Sequence, residues 1–186
     1  MLFCCFLSCR VSSRQRQTQT GFTLLELIAV VALTAMLMAI MAPAWLRFIN
    51  TQRLISARAV VHQGLRQAQF QAKRNHADWR FSIRDVDGVV EWSVYPATMP
   101  VTAADWQPIG HSSVQIDSET PSSLATNRRA VEFDYRGNVT PPLGRITLSS
   151  RQFSEIKRCV YISTVIGELR QSKEQRSANR SGDFCY

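Results

Sequence analysis

The feature that most constrains this chain is the apolar run from Phe22 to Ala42, in which the only charged side chain is Glu26. As a helix rising about 1.5 Å per residue it would span roughly 31 Å, which matches the hydrocarbon core of a bilayer. The residues before it include Arg10, Arg14 and Arg16 and no acid. By the positive-inside rule that end stays in the cytoplasm, and the chain after Trp45 lies outside. A carboxylate within a membrane segment costs about 2.5–3.5 kcal/mol on insertion scales and commonly marks a function with a partner. Glu26 therefore has either such a partner or a place at the interface where headgroups solvate it.

The residues around it form a recognisable site. Gly21-Phe22-Thr23-Leu24-Leu25-Glu26 resembles the class III signal of type IV prepilins and pseudopilins. The resemblance implies that a membrane prepilin peptidase cuts after Gly21 and N-methylates Phe22. Glu26 then becomes the fifth mature residue, where the family carries its Glu. Pro43 becomes the twenty-second, where many members carry a helix-kinking Pro. It further implies a single-pass inner-membrane precursor that joins other pilins through an inner-membrane assembly platform. A rival reading uses the same residues: Ala42-Pro43-Ala44 is a small-x-small signal peptidase site, which would start the mature chain at Trp45. Against it stand a long segment before the apolar run and the Glu at the start of that run. The stretch Met1–Cys9 is apolar for such a leader yet too short to cross a bilayer, which points to a translation start downstream of Met1.

Charge and cysteine content narrow the rest. The net charge is +8, and loss of Arg10, Arg14 and Arg16 with the leader leaves a mildly basic chain, too weakly so to indicate nucleic-acid binding by itself. Cys4, Cys5 and Cys9 leave with the leader, so Cys159 and Cys185 remain. A pair of cysteines in an oxidising compartment reads as a disulfide worth roughly 3–4 kcal/mol by loop entropy, with two free thiols as the alternative. His62, His76 and His111 lie far from that pair in sequence, so no metal site or cofactor is expected. No nucleophile elbow, zinc-protease motif or phosphate loop occurs, and no enzyme is expected.

Beyond Pro43 the helix is expected to continue. Leu46, Leu54, Ala57, Val61, Leu65, Ala68 and Ala72 recur mostly at steps of three or four, giving one apolar stripe. A helix over 22–75 would be roughly 80 Å long, with Gly64 as a tolerated weak point. Arg47, Arg53, Arg58, Arg66, Lys73 and Arg74 lie along it with no acid among them. They form either a solvated face or a surface for phospholipid, a neighbouring subunit or nucleic acid.

Strands follow. Trp79, Phe81 and Ile83 alternate with polar residues, Asp87-Gly88 signals a hairpin, and Val90, Trp92 and Val94 form its second arm. The aromatics read as core. Residues 96–112 read as a long connection, 113–117 as a short strand and 118–127 as a loop. Alternation returns over 130–135, with a turn at 136–138. Residues 145–150 and 158–163 read as strands, with 165–170 as a continuation of the latter, and the tail from Gln171 as irregular.

The second half resembles the GspH/FimT subgroup of pseudopilins and minor pilins, through Phe133-Asp-Tyr-Arg-Gly137, Ile146-Thr-Leu148 and Val160-Tyr-Ile-Ser-Thr-Val-Ile-Gly167. The implied fold is pilin-like α+β: a long N-terminal helix, half of it transmembrane, packed on a C-terminal antiparallel β-sheet domain. The divisions expected are a leader over 1–21, a membrane or filament-core half-helix over 22–43, an amphipathic half over 44–76 and a β-rich domain over 77–186. Some FimT-like members bind DNA through Gly-Arg-x-Arg. Here the segment is Gly167-Glu168-Leu169-Arg170, with an anion in place of the first Arg. Cations outnumber acids two to one from Arg145 onward, so phosphate contacts by Arg170, Lys173 and Arg176 remain open. The resemblance leaves three roles: a type IV pilus subunit, a type II secretion pseudopilus subunit, and a DNA receptor.

Overall fold

The computed structural model describes residues 21–120, 128–141, 144–180 and 182–186. The leader through Thr20 and residues 121–127 of the loop expected at 118–127 lie outside the described residues. Contacts divide the chain into one unit ending at Met41 and a second from Ala42 to Tyr186. A single helix, α1, runs from Leu24 to Asn75 with Pro43 inside it. The expected helix started at Phe22. It starts later because Thr23 supplies the cap, its Oγ1 accepting a hydrogen bond from the Glu26 N–H at 3.2 Å.

The side chains from Leu24 to Met41 are exposed throughout, including Leu24 at 76% and Ile40 at 75%. In the second unit α1 changes character. Asn50, Leu54, Ala57, Val61, Gly64, Leu65, Ala68, Gln69 and Ala72 are buried. The expected stripe holds except at Leu46, which stays exposed.

Among the described residues eight strands build two four-stranded antiparallel sheets. The first joins β1 (Trp79–Val86), β2 (Val89–Pro96), β3 (Gln107–Pro108) and β5 (Arg128–Phe133) in the order β3-β2-β1-β5. The second joins β4 (Val114–Ile116), β6 (Arg145–Ser150), β7 (Lys157–Ile162) and β8 (Leu169–Lys173) in the order β4-β6-β7-β8. Asp87 (φ 49°) and Gly88 (φ 79°) make the β1–β2 turn, the positive-φ pair that suits the strand twist of a two-residue hairpin. The connection over 96–112 carries a 3-10 turn at Val101–Ala103 as well as β3.

Two expectations need correction. Residues 165–170 do not prolong β7. The chain reverses there, and β8 returns antiparallel beside β7 with Tyr161 opposite Arg170. The tail is therefore not irregular from Gln171, since β8 reaches Lys173. Polar side chains at an edge strand gave no hydrophobic alternation to read.

One core joins both sheets to the helix: Leu54, Val61 and Leu65 cluster with Phe81, Ile83, Phe133, Leu148, Val160 and Leu169. Trp79 and Trp92 pack against it half-buried, so the aromatics are core as expected. Gly64 is more than a tolerated weak point. A Cβ there would stand 2.5 Å from Phe81 Cε2 and 2.9 Å from Trp92 Cε3, so its lack of a side chain admits the ring pair. Further along, the Gln69 amide donates to the carbonyl of Gly137 at 2.9 Å and reaches that of Gly167 at 3.2 Å. One buried side chain thus holds two turns of the β region. Gly167 (φ +78°) suits its turn, and a Cβ there would meet the Gly137 carbonyl oxygen at 2.7 Å.

The C-terminal segment is bound down by covalent and polar contacts. Cys159 and Cys185 are disulfide-bonded. The Glu119 carboxylate accepts from the N–H groups of Phe184 (3.0 Å) and Cys185 (3.2 Å), and pairs with Lys157 at 2.6 Å. Tyr161 donates to the Cys185 carbonyl, and Arg145 bridges Tyr161 and Asp183. The hydrogen bond from Arg145 holds the Asp183 carboxyl below the ordinary carboxylate range.

Two outcomes follow from this packing. Alanine at Gly64 should gain about 1 kcal/mol of helix propensity but lose about 1–3 kcal/mol by overpacking, so Gly64→Ala should lower the denaturation midpoint; a raised midpoint would contradict the close approach. Asp183 titrates near 3.9 when unfolded and lower when folded, so its contribution is complete above about pH 4 and vanishes as the pH falls through the folded value. Urea titrations of wild type and Asp183→Asn should therefore differ at pH 6 and converge toward pH 2–3; a gap that stays constant with pH would refute the ion pair's role.

Candidate functional site

The N-terminal locus comprises Gly21, Phe22, Thr23 and Glu26. Gly21 and Phe22 precede the helix, and both are exposed, Phe22 at 81%, so the peptide bond between them is accessible. Thr23-Leu24-Leu25-Glu26 has the spacing of a capping box, in which a Glu three residues after the cap faces the unpaired N–H groups of the first turn. An acid there also sits at the positive end of the helix dipole, worth typically 0.3–1 kcal/mol. This placement of Glu26 in the first turn is one that reading it as a membrane anomaly missed, although the Thr-x-x-Glu pattern signals it. Pro43 lies within α1 at the second residue of the second unit.

The apolar surface behind this locus defines what it can do. Leu24–Asn75 contains a segment of mean hydropathy 2.5, long and apolar enough to cross a membrane, with none of that window buried. Continuous apolar surface on this scale demands lipid or other helices around it.

The second candidate locus is the edge strand β8 and the residues after it. Of the cations from Arg145 onward, four are engaged: Arg145 with Asp183, Arg151 with Asp85, Lys157 with Asp117 and Glu119, and Arg158 with Glu174. The excess of charge in that half of the sequence is thus partly neutralised by acids, three of which, Asp85, Asp117 and Glu119, lie earlier in the chain. Arg170, Lys173 and Arg176 are exposed and have no ion pair among the described residues. They do not converge on one site. Arg170 lines a shallow concavity of about 500 Å³ with Arg145, Tyr161 and Tyr186, whereas Arg176 lines another with Lys157 and Phe184.

The helix cations contribute beside this edge. The Arg58 Nη1 donates to the Ser172 carbonyl at 3.0 Å, placing its charge against β8. Burial, then the nearby Arg158, pushes the Arg58 pKa down. His62 is lowered by burial, Arg66 and Arg58, which favours its neutral form. Among the described residues no group of three or more His, Cys, Asp or Glu is placed to hold a metal ion.

Comparison with known proteins agrees with this geometry at both ends. Residues 16–42 match the family described as the prokaryotic N-terminal methylation motif. The fold is similar to that of the type IV minor pilin FimU of Pseudomonas aeruginosa, known from a crystal structure, with a TM-score of 0.50 and 15% sequence identity over 66% of this chain and 90% of that one. No curated protein sequence matches the chain. A prokaryotic N-terminal methylation motif therefore stands at the head of a pilin-like α+β fold, a long helix packed on antiparallel sheets.

Proposed function

We propose that this chain is a minor pilin: a structural subunit, cut by a prepilin peptidase after Gly21, methylated at Phe22, and carried into a type IV filament. The observation that supports this reading best is the order of its parts. An accessible Gly21–Phe22 bond precedes an exposed apolar helix, and that helix continues as the spine of a β-rich unit. Before assembly the apolar half is held in the inner membrane, with the β-rich unit outside the cytoplasm. In the filament the same surface packs against neighbouring subunits. The GspH/FimT subgroup remains the reading of the C-terminal motifs, and a type II secretion pseudopilus would use the same physics with different partners.

Glu26 has two roles to separate, an acid favoured by the first turn of the helix and a charge that pairs with the N-terminal amine of a processed subunit. Breaking such a pair in a dry bundle costs about 3–5 kcal/mol. Glutamine retains the capping geometry and removes the charge. Both wild type and Glu26→Gln should yield a mature N terminus at methylated Phe22, while incorporation of the variant into filaments falls by about two orders of magnitude. Normal incorporation would leave only the first-turn role, and a mature chain starting at Trp45 would overturn the processing itself.

A second reading rests on Arg170, Lys173 and Arg176, which have no ion pair among the described residues beside four cations that are neutralised. It makes this subunit a sequence-independent DNA binder. Phosphate contacts would show as a binding constant that falls steeply with salt, and Arg170→Ala would flatten that slope by about one unit. DNA retention that does not respond to salt would exclude it.

A further inference from the structure

The first turns of the second unit carry a cluster that neither the helix core nor the filament reading uses. Trp45 and Phe48 are 62% and 53% exposed, with ring centroids 5.9 Å apart. Between them in sequence, Arg47 reaches out, its guanidinium 5.3 Å from the Phe153 ring and 3.4 Å from the Glu155 carboxylate. Phe153 and Glu155 belong to the β6–β7 turn, and that turn is fixed in place. The buried Asn50 amide donates to the Leu46 carbonyl at 2.9 Å and to Gln152 Oε1 at 3.2 Å. The helix turn and the strand turn, tied through Asn50, therefore form one collar that presents two open aromatic rings and, beside them, a cation lying over Phe153.

We propose that this collar is a phospholipid-headgroup contact: Trp45 and Phe48 lie at the acyl–headgroup boundary, and Arg47 binds lipid phosphate. The inference rests on the membrane-held precursor described above and adds where its β-rich unit meets the lipid. Chain continuity supplies the first argument. Trp45 follows Ala42, the end of the apolar run, by less than one helical turn, the depth at which amphipathic aromatic rings favour a bilayer interface. Charge complementarity supplies the second. Arg47 and Arg53 face outward with no acid on the helix from Arg47 to Arg74. The acid that meets Arg47 is Glu155, and both side chains are more than half exposed (61% and 58%), so each holds the other weakly. A phosphate can displace Glu155 without stranding a buried charge. Arg47 keeps its methylene stem along Phe153 while its head moves to the phosphate, the behaviour of long cations at interfaces. In the filament, where lipid is absent, the pair with Glu155 satisfies the same guanidinium. Arg47 thus trades partners as the subunit leaves the membrane.

The test uses the full chain in nanodiscs of phosphatidylcholine and phosphatidylglycerol whose acyl chains are brominated close to the headgroup. Bromine should quench part of the tryptophan emission, and Trp45→Phe should abolish that part while Trp79, Trp92 and Trp106 keep theirs. Arg47→Glu should reduce the quenching about two-fold or more as the collar lifts from an anionic surface. Glu155→Gln, which frees Arg47, should leave it equal or raise it. A chain that resists alkaline extraction but shows no quenching assignable to Trp45 overturns the collar and spares the membrane-held precursor. Unchanged quenching in Arg47→Glu also overturns it, because the phosphate contact is then absent. A chain that alkali extracts removes both readings.

Discussion

The structure depends on burying the second half of α1 against two sheets at once. Neither sheet has a closed core of its own. Residues of β1, β2 and β5 from one, and of β4, β6, β7 and β8 from the other, meet the helix stripe Leu54–Ala72 in a single cluster. The helix is thus the shared wall of the domain. At about 25 cal/mol per Å² of apolar surface removed from water, burying this stripe favours folding. Gly64 sets how closely it is made, since the Phe81 and Trp92 rings occupy the space a side chain would take. Gln69 carries the arrangement into the turns, holding the carbonyls of Gly137 and Gly167.

The same helix is asked to satisfy two solvents. Its first half presents exposed apolar side chains, and its second half buries a narrow stripe while exposing Arg53, Arg66 and Arg74. The change falls between Met41, the last residue of the first unit, and Asn50, the first buried side chain. A polar residue at that boundary does work no apolar one could. Asn50 is 3% exposed and bonds both its own helix and the β6–β7 turn, so the start of the domain is held by hydrogen bonds before hydrophobic packing takes over at Leu54.

The C-terminal segment shows how a short polar tail is ordered without a core of its own. Its apolar residues, Phe184 and Tyr186, remain exposed. Its order comes from the disulfide, from a carboxylate that accepts two backbone N–H groups, and from the Arg145–Asp183 pair. Glu119 is central because it joins Lys157 of β7 to the end of the chain. These contacts also decide which cations stay available on that face, since the acids that hold the tail neutralise the arginines and lysine nearest to it.

Much of this was legible in the residues themselves. An apolar run of bilayer length after a basic segment leaves few alternatives, and Gly21–Glu26 is recognisable by its resemblance to a prepilin signal, within the span that matches the N-terminal methylation motif. The stripe from Leu54 to Ala72, the Asp87-Gly88 hairpin and the Cys159–Cys185 bond were also readable, because period, turn chemistry and pairing are local or arithmetic signals. What only the tertiary structure decided depends on neighbours distant in sequence. Gly64 reads as a weak helix position until the Phe81 ring is seen against it. Gln69 reads as a surface residue until two turns some seventy and a hundred residues later converge on its amide. β8 has no alternation of its own, because an edge strand is specified by the backbone of its neighbour. The charge balance after Arg145 gives the wrong picture for the same reason: Asp85, Asp117 and Glu119 lie earlier in the chain, and only folding brings them to the cations they neutralise.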